Sequence, residues 1–167
     1  MFDAETLALA ERVLDGCRAR GWRLATAESC TGGLVVAALT AVAGSSGVVE
    51  RGFVAYSNQA KMELLGVPET TLVEHGAVSG EAVTAMAEGA LVRARVDLAV
   101  SVTGVAGPGG GSAAKPVGLV YIGIATRGGR GRSERRVFSG DRAAIRRGAT
   151  IHALELLAET AARSEES

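Results

Sequence analysis

Charge imbalance, metal-ligand clusters, long apolar runs and aromatic side chains are all scarce in this chain, and each scarcity closes off a class of function. Its 167 residues hold 18 basic and 18 acidic side chains, a formal net charge of zero. Nothing in that balance draws the chain to nucleic acid or to an anionic membrane. Two Tyr, three Phe and one Trp offer few platforms for stacking bases. Cys17 and Cys30 form neither a disulfide framework nor a zinc spacing. His75 and His152 stand apart, so the sequence predicts no metal site, and no cofactor is expected. No apolar run approaches the length of a membrane span, and Met1 leads into a helical pattern with no basic segment and apolar signal core. The expectation is a cytoplasmic globular protein. Lysine is scarce as well: of the 18 basic residues only Lys61 and Lys115 are lysines, which singles each of them out.

What is present builds an ordinary core, since 47% of the residues are hydrophobic and 22% charged. The length suits one domain, expected over 1–163 with a polar tail at 164–167. Asp3 is a good N-cap for a helix bearing Ala10, Val13 and Cys17 on one face, and Gly21 ends it. A strand over 23–28 and a helix over 31–43 follow. A strand is read from Val48 to Tyr56, then Ser57 caps a helix from Asn58 to Leu65. Residues 69–74 give a short helical turn, and Ser79 caps a longer helix with Val83, Met86, Ala87 and Ala90 on its apolar face. Val96 to Val102 is nearly all apolar, as in a strand buried on both sides. Strands over 117–126 and 134–139 form a hairpin, and Asp141 caps the last helix. Alternating strands and helices, closed by a hairpin, predict an α/β fold: a three-layer α/β/α sandwich on a mixed, mostly parallel sheet.

In such sheets ligands gather beyond the carboxyl ends of the parallel strands. Those ends carry Ser29, Tyr56 and Thr103, three hydroxyls in equivalent positions. Ser29 sits in Glu28-Ser29-Cys30-Thr31-Gly32-Gly33, at a strand-to-helix turn where free N–H groups suit an anion or a developing oxyanion. The same place suits an ordinary capping serine, and local pattern alone favours the cap. Lys61 lies one turn into its helix, where the positive helix end and any burial lower its pKa and fit it to take a proton from a serine. Local pattern alone favours a surface lysine there. Cys30 is the rival nucleophile, because a helix N-terminus favours thiolate; no histidine stands in an obvious relation to it, which ranks Ser29 above it. The Gly107–Gly111 loop can wrap a phosphate or serve only as a flexible connection; the Gly-Lys-Ser ending of a phosphate loop is absent. Arg142 and Arg146 at the start of the last helix read either as anion ligands or as a solvated face. Arg127, Arg130, Arg132, Arg135 and Arg136 read as exposed turn and edge-strand charge.

Six ordered stretches resemble the CinA C-terminal domain family. They are Ala27–Gly33, Arg51-Gly52-Phe53-Val54 with Tyr56-Ser57-Asn58, Gly76–Ser79, Thr103–Pro108, Lys115–Gly118 and Phe138–Arg142. The likeness runs from about 5 to 160. It implies a three-layer α/β/α fold and a nicotinamide-nucleotide amidohydrolase of the PncC type, hydrolysing nicotinamide mononucleotide to nicotinate mononucleotide and ammonia in pyridine-nucleotide salvage. The family's serine nucleophile falls on Ser29, its lysine base on Lys61, and its supporting hydroxyls on Tyr56 and Thr103. Cys30, Thr31, Gly32, Gly104, Gly107 and Arg142 are the candidate substrate-binding residues. Some members carry a further N-terminal domain, so this chain is expected to be the stand-alone form and, like its relatives, a homo-oligomer. One departure is the run Pro108-Gly109-Gly110-Gly111, where many relatives place an acidic residue after the proline. The alternative reading is a nucleotide-binding or regulatory module of the same type without catalysis.

Overall fold

The computed structural model describes residues 1–163; the expected polar tail, 164–167, lies outside them. Most helices begin where a side chain takes the first free N–H groups. Asp3 accepts from the Thr6 N–H at 2.9 Å to open α1 (Ala4–Arg20), which Gly21 closes at φ 66°. Ser57 opens α3 (Asn58–Leu65), Ser79 opens α5 (Gly80–Ala94) and Asp141 opens α6 (Arg142–Ala162), each accepting from an N–H three residues on. The short α4 (Glu69–His75) follows Pro68. Like α4, α2 (Leu34–Thr40) has no cap from its N-cap side chain, and it is shorter at both ends than the expected 31–43. Gly32 and Gly33 take φ values of 60° and 107°, so the chain turns left-handed before the helix begins, and Gly33 has no side chain to cap it.

Five strands form one sheet: β1 (Leu24–Glu28), β2 (Val49–Val54), β3 (Leu98–Gly104), β4 (Leu119–Thr126) and β5 (Arg132–Val137). Their order is β2-β1-β3-β4-β5. β1 pairs in parallel with β2 and β3, whereas β4 is antiparallel to β3 and to β5. Four strands therefore run one way and β4 alone opposes them, the mixed, mostly parallel sheet expected. β3 begins two residues later than its apolar run. The Val96 N–H is held by the Leu91 carbonyl at the end of α5, and pairing starts only after the Asp97 N–H meets Arg23.

Helices cover both faces. On one, α1, α2 and α6 pack Leu14, Leu39 and Leu154 over Leu24, Val100, Val102 and Ile122. On the other, α5 with α3 and α4 packs Leu65, Leu72 and Met86 over Ala27 and Ala99. The α5 side of the sheet is small-residued so that the helix can come close. The Ser101 hydroxyl donates to the Val83 carbonyl at 2.5 Å, and a Cβ at Gly123 would stand 2.5 Å from that same oxygen. Since β1, β2 and β3 are parallel, their carboxyl ends open together at one end of the sheet. The β1–α2 turn, the β2–α3 corner and the loop after β3 meet there.

Gly89, in α5, is the closest of these approaches, because a Cβ there would overlap the Leu65 carbonyl at the end of α3. Helix propensity alone says Gly89→Ala stabilises by about 1 kcal/mol. The overlap reverses that sign: we expect a net loss of about 1–3 kcal/mol and a melting temperature several degrees lower by circular dichroism.

Candidate active site

The turn after β1 is built around Glu28. The side chain is wholly buried, and its two oxygens receive four donors. Oε1 accepts from the Thr31 hydroxyl at 2.7 Å and the Val35 N–H at 2.9 Å; Oε2 accepts from the Val36 N–H at 3.1 Å and the Thr26 hydroxyl at 3.2 Å. A carboxylate thus occupies the positive end of α2, where Gly33 offers no cap. Arg146 of α6 grips the other side of the turn, donating to the carbonyls of Cys30 at 3.1 Å and Thr31 at 3.2 Å. The Gly32 N–H donates to the Ser29 carbonyl at 3.0 Å. Among the described residues the N–H groups of Cys30 and Thr31 bond to no other residue. Ser29 does not cap the helix, contrary to the local pattern; Glu28 does, and the Ser29 hydroxyl is left for another partner.

That partner is Lys61. Its side chain is 2% exposed, and Nζ lies 3.1 Å from Ser29 Oγ while donating to the Tyr56 carbonyl at 3.1 Å. Both contacts are neutral oxygens. Burial strips water from the ammonium and lowers its pKa, so the amine sheds its proton more readily than a surface lysine. The surface reading of Lys61 is therefore corrected. Cys30 moves the opposite way: burial raises its thiol to about 11, with the Glu28 carboxylate adding to the rise, which keeps it protonated. The helix end that would favour a thiolate is already occupied by Glu28. Of the two adjacent candidate nucleophiles, only Ser29 is hydrogen-bonded to the Lys61 amine.

A cleft of about 320 Å³ opens over this pair. It brings Ser29, Cys30, Tyr56, Lys61, Thr103, Gly104, Gly107 and Arg142 together. Tyr56 is 60% exposed, and its hydroxyl accepts from Arg142 at 3.2 Å; Arg142 also donates to the Gly107 carbonyl at 2.8 Å. Tyr56 thus reaches Lys61 through its backbone rather than its ring. The buried Thr103 hydroxyl donates to the Ala77 carbonyl at 2.9 Å, so it fixes the loop before α5 and does not bond to Lys61. Thr31 and Gly32 do not line the cleft. Thr31 is buried in the Glu28 cluster, and a Cβ on Gly32 would meet Arg146 at 3.3 Å. Asn58, Ala77 and Val78 line the cleft and were not anticipated. Glu28 and the role of Arg146 were missed as well. The available signals were an acidic residue ending an apolar strand just before two glycines, and a second arginine four residues after Arg142, on the same helix face.

Known proteins are similar to this chain in sequence and fold. The sequence model for the CinA C-terminal domain matches residues 6–161. The nicotinamide-nucleotide amidohydrolase PncC of Escherichia coli K12 is 54% identical over 157 residues, 94% of this chain and 95% of that protein. Among solved structures, the competence/damage inducible protein CihA from Agrobacterium tumefaciens superposes with a TM-score of 0.93 at 46% identity, covering 98% of this chain and 99% of that one. The competence damage-inducible protein A from Klebsiella pneumoniae gives a TM-score of 0.91 at 40% identity, covering 96% and 99%.

Exchanging Glu28 for its amide tests the turn. Glu28→Gln turns one acceptor oxygen into a donor among four donors and removes the charge from the helix end. We expect about 1–3 kcal/mol of lost stability, read by urea denaturation, together with a loss of any activity that depends on Ser29. Lys61 makes a second, signed prediction. Its folded pKa lies below the ordinary 10.5, so the unfolded chain binds more protons and stability rises with pH between the two values. Denaturation across that window should show the rise in the native chain and its loss in Lys61→Met.

Proposed function

The chain belongs to the CinA C-terminal domain family, and we propose that it hydrolyses the carboxamide of nicotinamide mononucleotide to nicotinate mononucleotide and ammonia. The observation that carries the chemistry is the buried Lys61 Nζ, 3.1 Å from Ser29 Oγ, at the floor of an open cleft. In this mechanism the neutral Lys61 amine takes the Ser29 proton as Oγ attacks the carboxamide carbon. The N–H groups of Cys30 and Thr31 receive the oxyanion, held in place because Arg146 and Glu28 fix the turn on either side. The Lys61 ammonium then protonates the leaving nitrogen, which departs as ammonia. Water attacks the resulting ester while Lys61 accepts one of its protons and returns it to Ser29; the carboxylic acid leaves and gives its remaining proton to the released ammonia in solution.

Tyr56 orients Lys61 through its carbonyl, and Thr103 holds the far wall by way of Ala77. Arg142 uses two of its N–H groups on Gly107 and Tyr56, leaving the rest, with the Gly107–Gly111 backbone, for the substrate's phosphate. The reaction is assigned to the cytoplasm, to one amidase domain over residues 1–163, and to a homo-oligomer with neither nucleic acid nor membrane as partner. The zero net charge supports the exclusion of nucleic acid, and among the described residues no helix is long and apolar enough to cross a membrane.

Ammonia release from nicotinamide mononucleotide by the purified protein tests the reading. Ser29→Ala should lower kcat by roughly four orders of magnitude or more. Near-normal turnover by Ser29→Ala, with none by Cys30→Ser, would move the nucleophile to Cys30. Saturable binding of the nucleotide with no hydrolysis by the native chain would identify a binding module instead. The pH dependence has a definite sign. kcat/KM should climb with pH as Lys61 loses its proton, with a midpoint below 10.5, and this limb should vanish in the residual activity of Lys61→Met.

A further inference from the structure

The arginines between 127 and 136 divide into two groups in space. Arg135 and Arg136 stand exposed on β5, as edge charge does. Arg127, Arg130 and Arg132 instead converge with Arg20, from the end of α1, and Arg163, after α6, on a pocket of about 250 Å³. Trp22 and Thr126 complete its wall. The pocket lies at the opposite end of the sheet from the cleft. Trp22 precedes β1 and Ser29 follows it, and five strand residues at about 3.3 Å each put roughly 17 Å between them.

Among the described residues no carboxylate lines this pocket. Arg127 pairs with Asp97 at 3.3 Å, and Arg132 Nη1 with Glu134 at 3.3 Å, both from outside it. Arg20 donates to the Ala161 carbonyl at 2.7 Å and lies 4.3 Å over the Trp22 ring. The side chains of Arg130 and Arg163 bond to no described residue. Arg132 Nη2 is shut off from solvent with no acceptor at all. A buried guanidinium nitrogen without an acceptor is destabilising, and so is the mutual repulsion of five guanidinium groups in a chain of zero net charge. The repulsion is relieved by one multivalent anion seated among these side chains. A carboxylate satisfies one guanidinium fork, whereas a phosphate, with more terminal oxygens and up to two charges, bridges several.

We propose that this pocket is a second ligand site, separate from the cleft, that binds the phosphate groups of a small molecule. It is independent of the hydrolytic reading. Trp22 is the one tryptophan in the chain, so its fluorescence reports on this pocket directly. Inorganic pyrophosphate is titrated at an ionic strength held constant with potassium chloride, and the binding heat is measured in parallel. The expected result is a saturable fluorescence change whose Kd rises at least about tenfold in Arg130→Ala and in Arg132→Ala and is unchanged in Ser29→Ala. Arg130 lies in an exposed turn, so its variant keeps the fold if the Arg132 variant does not. Adenosine diphosphate serves as a second probe: tighter binding than pyrophosphate assigns the phosphate to a nucleotide, equal or weaker binding to a free polyphosphate, and either upholds the site. A response that follows ionic strength alone, one that both arginine variants retain in full, or neither fluorescence change nor heat overturns it.

Discussion

Everything at the cleft depends on one buried carboxylate meeting one helix end. Glu28 takes the N–H groups that α2 would otherwise leave unpaired, and it does so from the strand side of the turn. A cap of the common kind would have come from the residue next to the helix and would have used the Ser29 hydroxyl or a neighbour like it. With Glu28 in that role, the five residues between strand and helix need not follow helical geometry. Their carbonyls turn toward Arg146, and the Ser29 hydroxyl turns toward Lys61. The same carboxylate opposes ionisation of Cys30. One carboxylate thereby leaves the Ser29 hydroxyl free to meet Lys61 and opposes ionisation of its neighbour Cys30.

Lys61 shows the other half of the arrangement. A lysine buried with only a hydroxyl and a carbonyl for partners is a poor place for a positive charge, and the fold accepts that cost in the helix that also supplies the Tyr56 corner. An acidic partner would hold the amine charged and useless as a base. The neutral surroundings therefore matter as much as the distance. The rest of the cleft wall is Tyr56, Asn58, Thr103, glycines and small apolar side chains, with Arg142 the one other cation among the lining residues.

Features that depend on near neighbours along the chain were legible in the residues themselves. Asp3, Ser57, Ser79 and Asp141 cap their helices because each acceptor lies three residues from its donor. The sheet class followed from alternating patterns, and the hydroxyls at strand ends followed from the rule for parallel sheets. Strand starts slipped by two residues where an apolar residue such as Val96 belonged to the preceding helix end. The partners of Ser29 were not legible locally. Glu28 reaches across a left-handed turn seven and eight positions on, and Lys61 lies 32 residues away. Taken one at a time, the residues read as a cap and a surface lysine; only the ordered likeness to a family joined them. Five arginines drawn from three separate elements had no sequence signal at all beyond their number.

The Arg146 contact spans 116 residues, from α6 near the end of the chain back to the turn after β1. β1 itself pairs with β3 some 74 residues on, through Leu24 and Leu98. As the chain is made, the serine and lysine emerge before the helix whose arginine clamps their turn. A nascent chain can carry the serine and lysine for some 85 residues after Lys61 before the turn is clamped. The clamp is acquired with α6, and any stop before that helix yields a chain without it.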